Sequence, residues 1–253
     1  WELYDTTKDW SQAHDVAAQY PEKLRELQEL FVAEAMRYHV FPLDDRVTER
    51  ENPEIAGRLD LHHGRRSIEL GPTAKRLGED AAPNVKNRSH RITVDAAVDA
   101  GVEGGIEGVL VAQGGRFGGW SLYCVDGVLT YAYNCYGRDR YLVRADRAVE
   151  PGAHTLAMRF DYDGGPPGSG ADIALEVDGE VVGSGRVETS TAYYFAFDES
   201  LNVGVDRGTP VSEEYAPVHN AFTGRIHRVR FDLGSEGSPE TDADRLRTRL
   251  AHH

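Results

Sequence analysis

Apolar and polar positions alternate on both sides of the pair Asp126-Gly127, from Trp120 to Cys135. An Asp-Gly pair flanked by such alternation is the strongest short-range signature of a two-residue type I′ hairpin turn. With the turn placed there, Val125 faces Val128, Cys124 faces Leu129, Leu122 faces Tyr131 and Trp120 faces Tyr133. Successive side chains of a strand point to opposite faces. One face therefore gathers Trp120, Leu122, Cys124, Leu129, Tyr131, Tyr133 and Cys135, and it calls for a second sheet above it. The other face carries Gly119, Ser121, Tyr123, Thr130, Ala132 and Asn134. In this register Cys135 lies about five residues further from the turn than Cys124, well beyond the ~7 Å reach of a disulfide. Two free, buried thiols are expected.

The same period continues through Ser89–Val98, Ile106–Gln113, Arg140–Ala145, His154–Tyr162, Tyr193–Phe197, Leu201–Val205 and Ile226–Leu233. A second hairpin, Asp172–Val187, turns at Asp178-Gly179. Many short strands with turn signals between them predict an all-β sandwich or barrel over residues 84–233. Two stretches differ. Leu24, Leu27, Phe31, Ala35 and Tyr38 recur at three- and four-residue steps and predict a helix over 21–39. Pro21 suits its first turn, and Glu22 sits at the positive end of its dipole. Residues 1–10 read as a short strand running into a turn, completing a unit at 1–40. Residues 41–83 hold no period and read as an extended connector. Residues 234–253 read as an acidic tail with a short helix from Asp242; the final His252-His253 suits a tag remnant as well as a native end.

The formal net charge of −14 excludes the positive footprint that nucleic-acid binding needs. No apolar run approaches the roughly 20 residues of a membrane-spanning helix. The sequence leaves the compartment open between cytoplasm and export.

Several constellations bear on chemistry. Glu176-Val177-Asp178-Gly179-Glu180 matches the paired-carboxylate pattern of retaining glycoside hydrolases, which need two carboxyls ~5–5.5 Å apart. The hairpin reading of Asp178-Gly179 instead sends Glu176 and Glu180 to strand ends in solvent. Gly114-Gly115-Arg116-Phe117-Gly118-Gly119-Trp120 lacks the Lys-Ser/Thr ending and the helix of a phosphate loop; Arg116 and Trp120 remain a candidate ligand-binding pair. Tyr123, Tyr131 and Tyr133, with Tyr136 and Tyr141, are candidates for a sugar-stacking platform. The adjacent pairs His62-His63 and His252-His253 point apart on extended chain, and His14, His90 and His219 lack partners at metal-ligand spacing. Asp198, Glu199 and Asp206 offer oxygen ligands suited to calcium. Asn87-Arg88-Ser89 is a glycosylation sequon.

Two blocks carry a resemblance. WELYDTTKDWSQAHDVAAQYPEKLRELQELFVAEAMRYHVFPLDDR resembles the C-terminal end of bacterial arylsulfatases, where a WELY-type strand and a helix opening P-E-K-L close a small subdomain. The succession PNVKNRSHRITV, VLVAQGGRFGGWSLY, VGVDRGTPVSEEY and FTGRIHRVRFDL is similar to the β-sandwich extension that some of those enzymes carry. The resemblance implies a concanavalin A-like jelly roll preceded by a strand–helix remnant. Sulfatases use a Cys or Ser in C/S-x-P-x-R, oxidised to formylglycine, together with a calcium site. Here Cys124 is followed by Val-Asp-Gly and Cys135 by Tyr-Gly-Arg, so no cofactor is expected in this chain. It would be the non-catalytic portion of a sulfuric ester hydrolase, a structural or docking module whose partner is its own catalytic domain. Asp44, Asp45 and Arg46 would form a salt-bridge knot against that domain. The WELY strand would pair with the sandwich, pair with a second copy in a homodimer, or stay disordered. The alternative is a lectin-like module for sulfated glycans using Arg116, Trp120, Tyr123, Tyr131 and Tyr133, and a third reading is glycoside hydrolysis through Glu176 and Glu180.

Overall fold

The computed structural model describes residues 1–43, 61–62, 64–98 and 105–234. The chain divides into two compact units, Trp1–Leu59 and Asp60–His253.

In the first unit the expected helix forms as α1 (Pro21–Arg37), with proline in its first turn, Glu22 beside it and Arg37 in the last turn. Trp1 packs edge-on against Phe31, which in turn meets Phe41. Residues 1–4 do not form the expected strand. The Leu3 N–H donates to Asp15 Oδ1 at 2.9 Å and the Leu3 carbonyl accepts from Val16 N at 2.8 Å. A strand needs a ladder partner for its backbone groups; here the following turn supplies one locally.

The second unit is an antiparallel β-sandwich of two sheets. The six-stranded sheet runs β1 (Ser67–Leu70), β11 (Arg225–Leu233), β2 (His90–Val98), β7 (Gly152–Tyr162), β8 (Ala171–Val177), β9 (Glu180–Val187). The five-stranded sheet runs β10 (Leu201–Val203), β3 (Gly108–Gly115), β4 (Gly118–Val125), β5 (Val128–Cys135), β6 (Asp139–Ala148). The β4–β5 register is the one the Asp-Gly turn dictates, with Trp120 opposite Tyr133, Leu122 opposite Tyr131 and Cys124 opposite Leu129. Asp126 and Gly127 both take positive φ, as do Asp178 and Gly179 in the second hairpin, which is what a type I′ turn requires. Between the sheets, Trp120, Leu122, Leu129 and Tyr131 meet Ile92, Leu156, Met158, Leu175 and Phe231 in one core. Both cysteines are buried and unbridged, and burial raises both thiols, Cys135 to about 11.

Two expectations need revision. Strand β1 lies inside the stretch read as a connector, paired with β11. Residues 193–197 form no strand; their backbone is irregular loop. The second face of the β4–β5 hairpin is covered as well: Ser121, Tyr123, Thr130, Ala132 and Asn134 are all buried. The tail helix and the Asp44, Asp45, Arg46 knot lie outside the described residues.

Candidate functional site

The covering of that second face builds the site. Segment 204–222 crosses the outside of the five-stranded sheet. Tyr215 meets Tyr123 edge-on, ring centroids 4.9 Å apart, and the Tyr123 hydroxyl donates to Glu214 at 2.6 Å with Ser212 at 3.1 Å. Tyr123 packs with Val109, Ala112 and Ala132 in a small second core. The segment is pinned at both ends by Asp206 and Asn220. Asp206 N–H donates to Asn220 Oδ1, and Asn220 Nδ2 donates back to the Asp206 carbonyl, each at 3.0 Å.

Where this segment meets the loops at the β3–β4 end of the sheet, it bounds a cleft of about 750 Å³. Thr209 ties the walls together. Its hydroxyl donates to Glu199 at 2.8 Å and accepts from Arg116 N–H at 3.0 Å. Gly208 has φ +87°, and a Cβ there would lie 2.1 Å from Glu199 Oε2, so only glycine allows this approach. On the opposite wall, buried Asn202 accepts from Arg76 N–H at 2.9 Å. The cleft presents the exposed side chains of Arg76, Arg207 and Phe197, with Asp198 beside them. The Phe197 ring, 88% exposed, rests on Tyr194 at 4.8 Å between centroids. Neither guanidinium has an ion pair or side-chain hydrogen bond among the described residues, whereas Arg91, Arg140, Arg144, Arg147, Arg159, Arg186, Arg228 and Arg230 are all ion-paired.

Of the residues picked from sequence, Arg116 is exposed in the β3–β4 turn beside exposed Phe117. The others are corrected. Trp120 is fully buried against Phe231. Tyr131 and Tyr133 lie between the sheets, the Tyr133 hydroxyl accepting from Thr191 N–H at 2.8 Å. Tyr123 lies under the covering segment, its hydroxyl pushed up to about 12 by burial. These four rings pack the fold and offer no face to a sugar. The hydrolase pair is separated by its surroundings. Glu176 is buried and held by Arg91 through two bonds of 2.8 and 2.6 Å, while Glu180 is exposed and pairs with Arg147. Glu176 thus departs from the solvent position expected of it, because the outer face of its sheet supplies two arginines. Among the described residues no three His, Cys, Asp or Glu side chains are grouped to hold a metal ion. Glu199 is engaged by Thr209 and Asp206 by Val211 and Tyr215, not by a shared cation position. The sequon asparagine donates its amide to Ala192 O at 2.7 Å.

Sequence reasoning missed Arg76, Phe197 and Arg207 because each sits in irregular chain. Their one signal was the Gly-Thr-Pro and Asp-Glu-Ser punctuation around them, which marks loops without saying where they meet.

No family model matches the chain, and no curated protein does. Solved structures do resemble it. The carbohydrate-binding module CBM40 of the Ruminococcus gnavus IT-sialidase, bound to alpha2,3 sialyllactose, shares 16% identity, covers 68% of this chain and 93% of its own, and has a TM-score of 0.44. The leech intramolecular trans-sialidase shares 14%, covering 68% of this chain and 26% of its own, with a TM-score of 0.42. Domains LG4-5 of the mouse laminin alpha1 chain share 19%, covering 67% and 42%, with a TM-score of 0.41. These findings overturn the resemblance to arylsulfatases: the similar structures are sialidase modules and laminin domains, and the WELY segment lacks the strand which that kinship requires. The chain is a jelly-roll β-sandwich, similar in fold to these modules.

Proposed function

We propose that the sandwich is a carbohydrate-binding module whose cleft takes an acidic glycan. One observation carries this reading: Arg76 and Arg207 stand without an anionic partner among the described residues, in a cleft that also exposes the ring of Phe197. Guanidinium groups match carboxylate and sulfate oxygens with paired N–H donors. An exposed ring gives a sugar an apolar surface to lie on. Asp198 adds an acceptor for sugar hydroxyls, so the cleft offers both halves of the hydrogen bonding that a polyhydroxyl compound needs. The walls are held by the Thr209, Asn202 and Asn220 bonds, which limits the ordering cost of binding.

The net charge of −14 repels acidic glycans at long range, so a signal at low salt requires local recognition. The test is an array of sulfated, carboxylated and neutral glycans probed with the whole chain and with Arg76→Ala and Arg207→Ala. The expected result is binding confined to acidic glycans and lowered at least tenfold by either substitution. Binding to neutral glycans alone, or acidic binding indifferent to both arginines, would reject the reading.

A further inference from the structure

We propose that Asp206 is a proton-operated clamp: segment 206–220 closes more firmly when the Asp206 carboxyl is neutral, and the cleft holds its glycan better below neutral pH. The second half rests on the acidic-glycan reading; the first does not.

The geometry is that of a buried acid serving as a knot. Asp206 is 3% exposed. Its Oδ2 accepts from Val211 N–H at 2.9 Å and from the Tyr215 hydroxyl at 2.6 Å. Its backbone is locked to Asn220 in both directions. Asp206 therefore ties together the segment that covers the sheet and walls the cleft, its carboxyl holding the middle and its backbone the end. Its Oδ1, however, is buried with no hydrogen-bond partner. A buried carboxylate needs donors or a cation on both oxygens, and without them the neutral form is favoured.

The surroundings agree. Among the described residues no cation pairs with Asp206. Glu199, the charged group facing it from the 197–200 loop, is an acid and raises it further. On the Tyr215 side, Glu214 is neutralised by Arg144 and Tyr123 presents a hydroxyl. Arg76, Arg207 and His219 border the cleft but are exposed to solvent. The carboxyl is pushed from 3.8 to about 6, chiefly by burial.

The sign follows from linkage. Opening the segment returns Asp206 to water and its ordinary affinity, so the closed form binds the extra proton. Closure is then strengthened as pH falls through about 6, and the gain is complete only below 3.8. Between pH 7 and pH 5 the open-to-closed ratio should fall about tenfold. Loss of the negative charge beside Arg76 and Arg207 acts on an anionic ligand in the same direction.

The experiment is hydrogen exchange at the Val211 amide of the whole chain at pH 7 and pH 5, corrected for intrinsic rate, with and without Asp206→Asn. The amide group copies the neutral carboxyl. Protection should rise about tenfold in the wild type on acidification, and should be high and flat in the variant. Equal protection at both pH values in the wild type, or a persistent pH dependence in Asp206→Asn, would overturn the clamp. Tyr215→Phe is the second variant: it removes a donor to the ionised form and should move the midpoint of the wild-type transition upward, and an unmoved midpoint counts against the clamp. A sulfated disaccharide, ionised throughout this range, is then titrated at both pH values. Tighter binding at pH 5 in the wild type alone is expected. Binding independent of pH would overturn the coupling, whereas no binding at either pH with the expected exchange would leave the clamp standing and remove the glycan reading.

Discussion

Glu176 offers the sharpest separation between a structural and a catalytic carboxylate. Its side chain is 7% exposed and accepts two bonds from Arg91, with Arg159 at 3.5 Å. Replacing Glu176 by Ala leaves the Arg91 guanidinium facing an apolar methyl, while Arg159 keeps its pair with Asp161. Breaking a buried ion pair from one side costs ~3–5 kcal/mol, because the partner remains uncompensated. The Arg91 side chain is 31% exposed and Arg159 45%, so water recovers part of that loss and about 3 kcal/mol is the working figure. For a domain of this size that corresponds to a fall in Tm of about 6–12 °C. Glu180 is the internal control. It pairs with Arg147 of β6 in the other sheet, both side chains being more than half exposed, and Glu180→Ala should cost about 0–1 kcal/mol. The assay is thermal and urea unfolding of both variants beside the wild type. A midpoint for Glu176→Ala within 2 °C of that for Glu180→Ala would refute the reasoning, and loss of a glycosidase activity in both with no change in stability would restore the hydrolytic reading.

Further predictions concern the core and the covering segment. His90 is buried, stacked on Phe160 at 4.7 Å, and burial lowers its ring to about 4. The unfolded chain therefore takes up the proton first, and His90 by itself should lower urea-unfolding stability by about 2 kcal/mol from pH 7 to pH 5, continuing until about pH 4. His90→Phe should flatten most of that loss; an equally steep profile in the variant would show that another group is responsible. Asp206 works in the opposite sense over the same range, adding about 1 kcal/mol as its raised carboxyl takes up a proton in the folded chain, so the wild-type profile is the difference of the two. Gly108 has φ +95°, and a Cβ there would lie 2.3 Å from the Ala221 carbonyl oxygen. Gly108→Ala should push residues 220–222 off β3 and expose Tyr123, read as increased Tyr fluorescence quenching by acrylamide, with no change expected for Gly71→Ala, which has open space.

The hairpins were legible because their information is local. Asp-Gly fixes the turn, the turn fixes the register, and the period of two assigns every side chain to a face. That same register already placed Trp120, Tyr131 and Tyr133 on the face that needed covering, so a stacking platform built from them contradicted its own strand assignment. The covering segment 204–222 was not legible, because Gly, Pro and Asn set loop geometry without announcing what the loop lies upon. A trace of it existed: Gly119, Ser121 and Ala132 are small, and small residues around a lone Tyr123 suit close coverage better than a solvent face. The cleft was unreadable for a different reason. Arg76, Phe197 and Arg207 come from three irregular stretches, brought to one place by long-range links such as the Leu77–Leu201 bridge, the Arg76–Asn202 and Thr209–Glu199 bonds and the Asp206–Asn220 pair. At the N-terminus, WELY has the composition of a strand, but Asp15 captures the Leu3 amide first, and propensity yields to that partner.

The cleft itself is tested most directly by following backbone amide shifts while the chain is titrated with a sulfated or sialylated oligosaccharide. The account predicts saturable shifts at Arg76, at 197–200 and at 205–208, abolished by Arg76→Ala together with Arg207→Ala. Shifts centred elsewhere on the sandwich, or none with either ligand at millimolar concentration, would contradict it.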